Sequence, residues 1–133
     1  MLPMNTVGLF VNDMARMVAF YRDVMQMETG WAGEANAELR SHNEGGVRLI
    51  MFGRVDFEAM TSRSYTYPSG LNGTMELSFD APSFGEVDRE YLRVTGAGAE
   101  PVFPPIEMPW GQRTSYVADP EGNLIEISSF AKD

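Results

Sequence analysis

One pattern of strands and helix occurs twice along the 133 residues, and this repeat limits the possible folds more than any single motif does. Sliding the sequence along itself aligns Val11 with Ala81, Tyr21 with Tyr91 and Val24 with Val94. Few letters are identical, so the repeat is one of pattern. Each copy starts with a strand that alternates apolar and polar residues, continues as an amphipathic helix and ends in further strands.

The first copy is predicted from alternation and helical spacing. Residues 6–11 alternate as a strand with one apolar face, and residues 14–25 carry apolar side chains at spacings of three and four. Weaker alternation at 35–40 and an apolar run at 47–52 predict two more strands, joined by a turn at 43–46. This gives the order strand, helix, strand, strand.

The second copy follows a segment at 54–73 that is rich in Ser, Gly and Asn, which predicts a connector with one helical turn near 56–60. A strand at 76–81 and a helix at 84–94 repeat the start of the first copy. Three further strand segments are predicted at 101–109, 112–118 and 124–129, the first of them broken by prolines. We therefore expect a single domain over 1–133, with modules at about 4–53 and about 74–130.

The composition excludes several classes of function. Acidic residues outnumber basic ones by 19 to 10, for a net charge of −9, which argues against binding to nucleic acid or to anionic membranes. The chain has no cysteine, so disulfides and thiolate metal sites are excluded. Its one histidine, His42, rules out a site that needs two imidazoles from one chain. No apolar run is long enough for a membrane span or a signal peptide, so a cytoplasmic location is expected.

The polar faces of the strands predict a cleft. In the first strand of the second copy, Glu76 and Ser78 share a face that is too polar for a core. If the turn at 119–123 pairs Ala118 with Leu124, Tyr116 stands opposite Glu126. Two further residues, Gln112 and Thr114, share that face with Tyr116, and Trp110 lies in a loop at its rim.

Two stretches of sequence carry a resemblance to a known family. The first runs from Val11-Asn12-Asp13 into Ala19-Phe20-Tyr21-Arg22-Asp23, and the second is Asp119-Pro120-Glu121-Gly122-Asn123-Leu124-Ile125-Glu126. Together they resemble the vicinal oxygen chelate superfamily, which includes glyoxalase, extradiol dioxygenases and bleomycin-binding proteins. The resemblance implies an α+β fold of paired βαβββ modules, with a mixed sheet curled into a cup and helices on its outer face. It also implies a homodimer.

The same resemblance bears on metal binding. Metal-dependent members hold an ion with residues near the first and last strands of each module, and these positions correspond here to Thr6, Ile50, Glu76 and Glu126. Only the two glutamates are suitable ligands, so the ligand set is incomplete and no cofactor is confidently predicted. A weakly held Mg²⁺ or Mn²⁺ is the divalent metal that two carboxylates and water can bind. A single histidine excludes the two-histidine site of an iron dioxygenase.

The pair Glu76 and Glu126 leaves three interpretations open. The carboxylates act as acid and base, they form a seat for a cationic ligand, or they pair with Arg48 or Arg113. We expect Glu76, Glu126 and Tyr116 to be the catalytic candidates. The expected ligand contacts are Thr6, Arg48, Ile50, Ser78, Trp110, Gln112 and Thr114.

Two functions follow from these residues. The first is a protein that binds a small organic molecule in an acidic cup, as in bleomycin-binding relatives. The second is a lyase or isomerase of the glyoxalase type, in which Glu76 and Glu126 move a proton beside a carbonyl group or act as ligands of a weakly held divalent metal. The substrate is not predicted.

Overall fold

In the computed structural model, which describes residues 1–42 and 46–133, the chain forms two units that each contain one sheet. The units are Met1–Tyr67 and Pro68–Asp133. One sheet has three strands and the other four, and both are mixed, so the predicted α+β class is confirmed. Most of the turn predicted at 43–46 falls on residues outside the described ranges.

The first unit has a strand–helix–strand–strand order followed by a second helix. Its elements are β1 (Thr6–Val11), α1 (Met14–Ala19), a π-helical segment (Phe20–Val24), β2 (Asn36–Leu39), β3 (Arg48–Gly53) and α2 (Arg54–Thr61). The strand order is β1-β3-β2, with β1 parallel and β2 antiparallel to β3. Within the part of this unit that the structure describes, the sheet therefore has three strands, one fewer than a βαβββ module implies.

The first helix begins where the sequence predicts but changes form before its predicted end. The carboxylate of Asp13 caps α1 by accepting a hydrogen bond from the backbone N–H of Arg16 at 3.1 Å. The last turn is π-helical, because the N–H of Met25 bonds to the carbonyl of Phe20 at 3.1 Å. Helix residues Met17 and Val18 are fully buried and account for the apolar stripe read from the sequence.

The segment predicted as a connector with one helical turn contains the eight-residue helix α2. Its Phe57 ring lies 4.2 Å from the ring of Phe10 on β1 and 5.7 Å from that of Phe52 on β3. Tyr65 follows on, with its ring 5.3 Å from that of Phe57. These four aromatic residues form a cluster that fastens the segment to one face of the first sheet.

The second unit is a complete strand–helix–strand–strand–strand module. Its elements are β4 (Asn72–Asp80), α3 (Phe84–Gly96), β5 (Glu100–Glu107), β6 (Arg113–Ala118) and β7 (Asn123–Ser129). The order in the sheet is β4-β7-β6-β5, with β4 parallel to β7 and the other pairs antiparallel. This is the βαβββ order that the resemblance implied.

Helix α3 covers one face of this sheet. Its buried residues Val87 and Val94 belong to the same core as Val117 of β6 and Ile125 of β7. Because successive strand side chains point to opposite faces, residues 124, 126 and 128 of β7 lie on the face away from the helix. That face carries the polar residues predicted to line a cleft.

The turn between β6 and β7 sets the register of the site. The Asp119 carboxylate accepts hydrogen bonds from the backbone N–H groups of Glu121 and Asn123 and from the Asn123 side-chain amide. Gly122 has φ +88, and a Cβ there would overlap the Gly70 carbonyl oxygen, so only glycine fits. The resulting register places Tyr116 opposite Glu126, which confirms the pairing counted from the sequence.

No helix in residues 1–42 or 46–133 is long and apolar enough to cross a membrane.

Candidate functional site

The centre of the site is the Glu126 carboxylate on β7, whose neighbours β4 and β6 supply its hydrogen-bond donors. Glu126 is only 8% exposed. Its Oε1 accepts a hydrogen bond from the Ser78 hydroxyl at 2.5 Å, and its Oε2 accepts from the Thr114 hydroxyl at 2.7 Å and the Tyr116 hydroxyl at 3.2 Å. The amide of Gln112 donates a longer bond to Oε2, at 3.5 Å. Four of the predicted site residues therefore donate hydrogen bonds to the carboxylate of a fifth, Glu126.

These donors explain how a carboxylate is accommodated in a nearly buried position without a cation. Among the residues described, Arg113 pairs with Asp88 at 2.8 Å and Arg48 pairs with Glu38 at 3.0 Å. Within the second unit, Arg113 is therefore engaged by Asp88 rather than by Glu76 or Glu126 in the part of the chain that the structure describes. The pairing of Arg48 with the two glutamates stays a prediction. Hydroxyl and amide donors meet part of the cost of burying the charge.

Tyr116 connects the two glutamates. It is half-buried, and burial, hydrogen bonding to Glu76 and the negative charges of Glu126 and Glu76 together hold its pKa well above the usual value for tyrosine. The phenol is therefore protonated at neutral pH and acts as a hydrogen-bond donor. Glu76 is exposed on β4, where it pairs in register with Leu124.

A cavity of about 490 Å³ opens in front of this cluster. One part of its wall is polar and contains Glu76, Gln112, Thr114, Tyr116 and Glu126, and the other part is apolar and contains Val102, Phe103, Met108, Trp110 and Leu124. Trp110 lies in the turn between β5 and β6 and is 62% exposed, which agrees with its predicted place at the rim. Its indole N–H donates to Oε1 of Gln112 at 2.9 Å, so Gln112 links the rim residue to Glu126.

The other predicted site residues, Thr6, Arg48 and Ile50, belong to the first unit. The Arg48 guanidinium donates to the Thr6 hydroxyl at 2.9 Å and to the Glu38 carboxylate at 3.0 Å. Ile50 lies on β3 opposite Glu38 of β2. These contacts are internal to the first unit, and a role for the three residues in ligand binding stays a prediction.

Apart from Trp110, the apolar wall of the cavity was not predicted from the sequence. Val102 and Phe103 lie in the segment that prolines interrupt, where the irregular register with β6 hides the alternation. Phe103 nevertheless pairs with Tyr116, and their rings are 6.3 Å apart. Leu124 stands two residues before Glu126 on the same strand, so the period of two was a signal that could have identified it.

The donor set does not fit a resident divalent metal ion. The groups around Glu126 are hydroxyl and amide hydrogens that point at the carboxylate, whereas a metal site needs oxygen or nitrogen lone pairs that point at the ion. Oε1 of Gln112 already accepts a hydrogen bond from the Trp110 indole N–H at 2.9 Å. Within 1–42 and 46–133, no three His, Asp or Glu side chains are grouped so that they could hold a metal ion.

A second cavity, of about 520 Å³, lies in the first unit and was not predicted either. It is lined by the loop before β2 and by β2 itself, with Trp31 and three acidic residues. One of those acids, Glu38, is already paired with both Arg40 and Arg48. The predicted site residues are not among those that line this cavity.

Comparison with solved structures finds the same fold. A glyoxalase/bleomycin resistance protein/dioxygenase from Nocardioides is 21% identical, with a TM-score of 0.82 over 98% of this chain and 85% of that chain. A family enzyme from Burkholderia phytofirmans PsJN is 22% identical, with a TM-score of 0.81 over 97% of this chain and 99% of the other. A lactoylglutathione lyase from Agrobacterium tumefaciens is 24% identical, with a TM-score of 0.70 over 96% and 92%.

At these identities the likeness concerns the fold alone. No protein with a curated function gave a significant match. The family model of the Glyoxalase/Bleomycin resistance protein/Dioxygenase superfamily matches residues 4–127, which is most of the chain. With the βαβββ module of the second unit and the Asp119–Asn123 turn that sets its register, this match shows that the chain belongs to that superfamily.

Proposed function

We propose that the second unit binds a small organic molecule in the cavity in front of Glu126. The observation that carries the proposal is a nearly buried carboxylate that forms no ion pair with a described residue of the second unit and lies against an aromatic-walled cavity of about 490 Å³. Cavities of this size and of mixed lining are typical of small-molecule sites. The apolar wall supplies binding energy through burial, and the polar cluster orients the ligand.

Each polar residue has a distinct role in this proposal. Glu126 accepts a hydrogen bond from the ligand, and Ser78 and Thr114 hold its carboxylate in a fixed orientation. Gln112 positions the Trp110 indole, which is exposed enough to stack on a planar group at the rim. Fixed side chains lower the cost of ordering on binding.

A lyase or isomerase is the second candidate, and the protonated Tyr116 between two carboxylates favours it. In such a reaction Glu126 or Glu76 takes a proton from a carbon beside a carbonyl group, and the Tyr116 hydroxyl donates a hydrogen bond to the oxygen that becomes negative. When the substrate is an α-hydroxy carbonyl compound, the glutamate returns the proton to the former carbonyl carbon, and the proton of the α-hydroxyl group moves to the former carbonyl oxygen, so atoms and charge balance in an isomerisation. No metal enters these steps, because the donor set does not fit one.

A ligand screen with calorimetric titration of the hits tests the binding proposal. Wild type is compared with Glu126→Gln and with Glu90→Gln, which removes a charge on α3, where Glu90 pairs with Arg93 at 2.6 Å. We expect hits whose affinity falls about tenfold or more in Glu126→Gln and stays unchanged in Glu90→Gln. Hits that bind Glu126→Gln as tightly as wild type contradict the proposal.

Product analysis on the same hits separates a binding protein from an enzyme. A binding protein returns every ligand unchanged. An enzyme converts a hit, and Glu76→Gln or Glu126→Gln removes the conversion while weaker binding persists. Treatment with a chelator before titration is expected to change neither result, because no metal takes part in the proposed site.

We further propose a homodimer and a cytoplasmic location. The dimer is supported by the resemblance to family members of this length, in which two chains usually combine. The cytoplasmic location is supported by the absence of cysteine and the net charge of −9. Sedimentation equilibrium at micromolar concentration tests the dimer: twice the chain mass is expected, and the mass of a single chain contradicts it.

A further inference from the structure

We propose that the ligand of this cavity is a cation, with an ammonium or amidinium nitrogen attached to an apolar body that contains a ring. This inference rests on the proposed function, since it names the class of molecule that the same cavity takes. Three features of the second unit carry it: the charges on the wall, the unused hydrogen-bond capacity of the carboxylates, and the division of the wall into a polar and an apolar part.

The charge of the wall is wholly negative. The lining contains two carboxylates, Glu76 and Glu126, and no Lys, Arg or His. The basic residue of β6, Arg113, is held by Asp88 at 2.8 and 3.2 Å and by the Pro105 carbonyl. A carboxylate or phosphate on the ligand would therefore meet two like charges and no counter-charge, whereas an ammonium group would meet two opposite ones.

The hydrogen-bond capacity of Glu126 is not exhausted. Each carboxylate oxygen has two lone pairs, and Oε1 accepts one bond, from Ser78, while Oε2 accepts three. One acceptor position on Oε1 is therefore open to a donor from the ligand. A protonated amine is the donor that gains most at such a position, because hydrogen bonds between ionised partners are the stronger class.

Tyr116 adds a second acceptor. Its hydroxyl donates to Oε2 of Glu126 at 3.2 Å, and Glu76 is near enough to raise its pKa, but the phenol has only one proton to donate. At any moment one of the two carboxylates therefore lacks the tyrosine donor. An ammonium group carries up to three N–H donors and is suited to bridge both carboxylates.

The apolar part of the wall indicates that the uncharged part of the ligand contains an apolar ring. Val102, Phe103, Met108 and Trp110 form a surface next to the carboxylates rather than around them. A ring packed there buries apolar area while its cationic substituent reaches Glu126. The exposed Trp110 face also attracts a nearby cation through its π-electrons.

In the first unit, an acid beside the matching position is compensated instead. Glu38 lies opposite Ile50, the counterpart of Glu126, and is paired with both Arg40 and Arg48. The second unit holds Glu126 with neutral donors instead and leaves its charge uncompensated.

Three probes of one shape test the inference. Naphthylmethylammonium, naphthylmethanol and naphthoate share the ring and differ in charge, and each is titrated into the full-length protein by calorimetry. We expect the cation to bind about tenfold or more tightly than the neutral alcohol, and the anion to bind most weakly. Raising the salt concentration is expected to weaken binding of the cation only.

Two variants test whether the preference for the cation depends on Glu126. Glu126→Gln is expected to lower the affinity for the cation about tenfold and that for the alcohol less than about twofold, while Glu90→Gln changes neither. Equal affinities for the three probes, or tighter binding of naphthoate, would overturn the inference and leave the proposed binding function standing. If all three fail to bind, the charge of the confirmed screening hits decides the question. Anionic hits whose binding depends on Glu126 overturn the inference. If no hit of any charge depends on Glu126, the proposed function itself is overturned.

Discussion

The two units share one arrangement of strands but carry different side chains at its centre. In each, the first strand runs parallel to the last, and the preceding strand flanks the last on its other side. In the first unit the central residue is Ile50, between Gly8 and Glu38. In the second it is Glu126, between Ser78 and Tyr116.

The difference lies in what surrounds these two central residues. Around Ile50, the acid Glu38 is neutralised by arginines, and the aromatic residues of β1 and β3 are covered by Phe57 of α2. Around Glu126, hydroxyl groups hold an unpaired carboxylate at the edge of a cavity. A few side chains thus fill one copy of this arrangement with packed aromatic residues and leave a carboxylate beside a cavity in the other, so the fold alone does not give the function.

The largest expected effect comes from the turn that sets the register of the second unit. Gly122→Ala is expected to lower the free energy of unfolding by about 3 kcal/mol or more, because it adds an overlap with Gly70 to the strain of φ +88. Gly111→Ala is the matched control, with φ +89 and no neighbour within 4 Å, and is expected to cost about 1 kcal/mol. Urea unfolding measures both, and equal losses would show that the close approach of Gly70 is unimportant.

The aromatic cluster of the first unit gives the next largest effect. Phe57→Ala is expected to cost about 2–3 kcal/mol, because Phe57 contacts Phe10, Phe52 and Tyr65. Trp110→Ala in the second unit is expected to cost less than about 1 kcal/mol, since that side chain is 62% exposed. The same unfolding measurement checks the pair, and a larger loss for Trp110→Ala would reverse the roles assigned to the two regions.

A carboxylate placed in the first unit tests whether the surroundings of Glu126 are special. Ile50→Glu puts an acid opposite Glu38, with Gly8 where Ser78 stands in the second unit. We expect it to cost up to about 1 kcal/mol more than Ile50→Gln at neutral pH, because a charged group loses more solvation than an amide at this half-buried position. The gap is expected to narrow as the pH is lowered, because a proton removes the charge of the new acid and leaves the amide unchanged. A gap that does not depend on pH would mean that size, not charge, is responsible.

The smallest expected effect is on the free energy of unfolding at alkaline pH. The pKa of Tyr116 is raised in the folded protein, so the folded state keeps a proton that the unfolded chain loses near pH 10. Stability is therefore expected to fall as the pH rises through about 10, by less than about 1 kcal/mol up to about pH 11, and Tyr116→Phe should lessen that fall.

Tyr67 of the first unit is the matched comparison for this alkaline effect. Burial and Glu58 raise its pKa too, but the Arg54 guanidinium, 4.4 Å from its ring centre, opposes the shift. We expect Tyr67→Phe to have the smaller effect on the slope of stability against pH. A larger effect for Tyr67→Phe would contradict the cooperation of Glu76 and Glu126 at Tyr116.

The sequence predicted the frame and the polar half of the site because both depend on local periodicity. Alternation placed Glu76 with Ser78, and counting through the turn placed Tyr116 opposite Glu126. Apart from Trp110, it did not predict the apolar half, because prolines and irregular register in β5 hide which of its side chains face the cavity. Nor did it identify the partners of Arg48 and Arg113, since an ion pair depends on which side chains meet in three dimensions.

Mapping the binding of naphthylmethylammonium by NMR tests the central claim most directly, because it reports where on the chain the ligand contacts. We expect the shifts to concentrate in β6 and β7 and at the Trp110 indole N–H, and to be lost in Glu126→Gln. Shifts that concentrate instead around Trp31 and β2, where the first unit has its own cavity, would contradict the assignment of the site to the second unit.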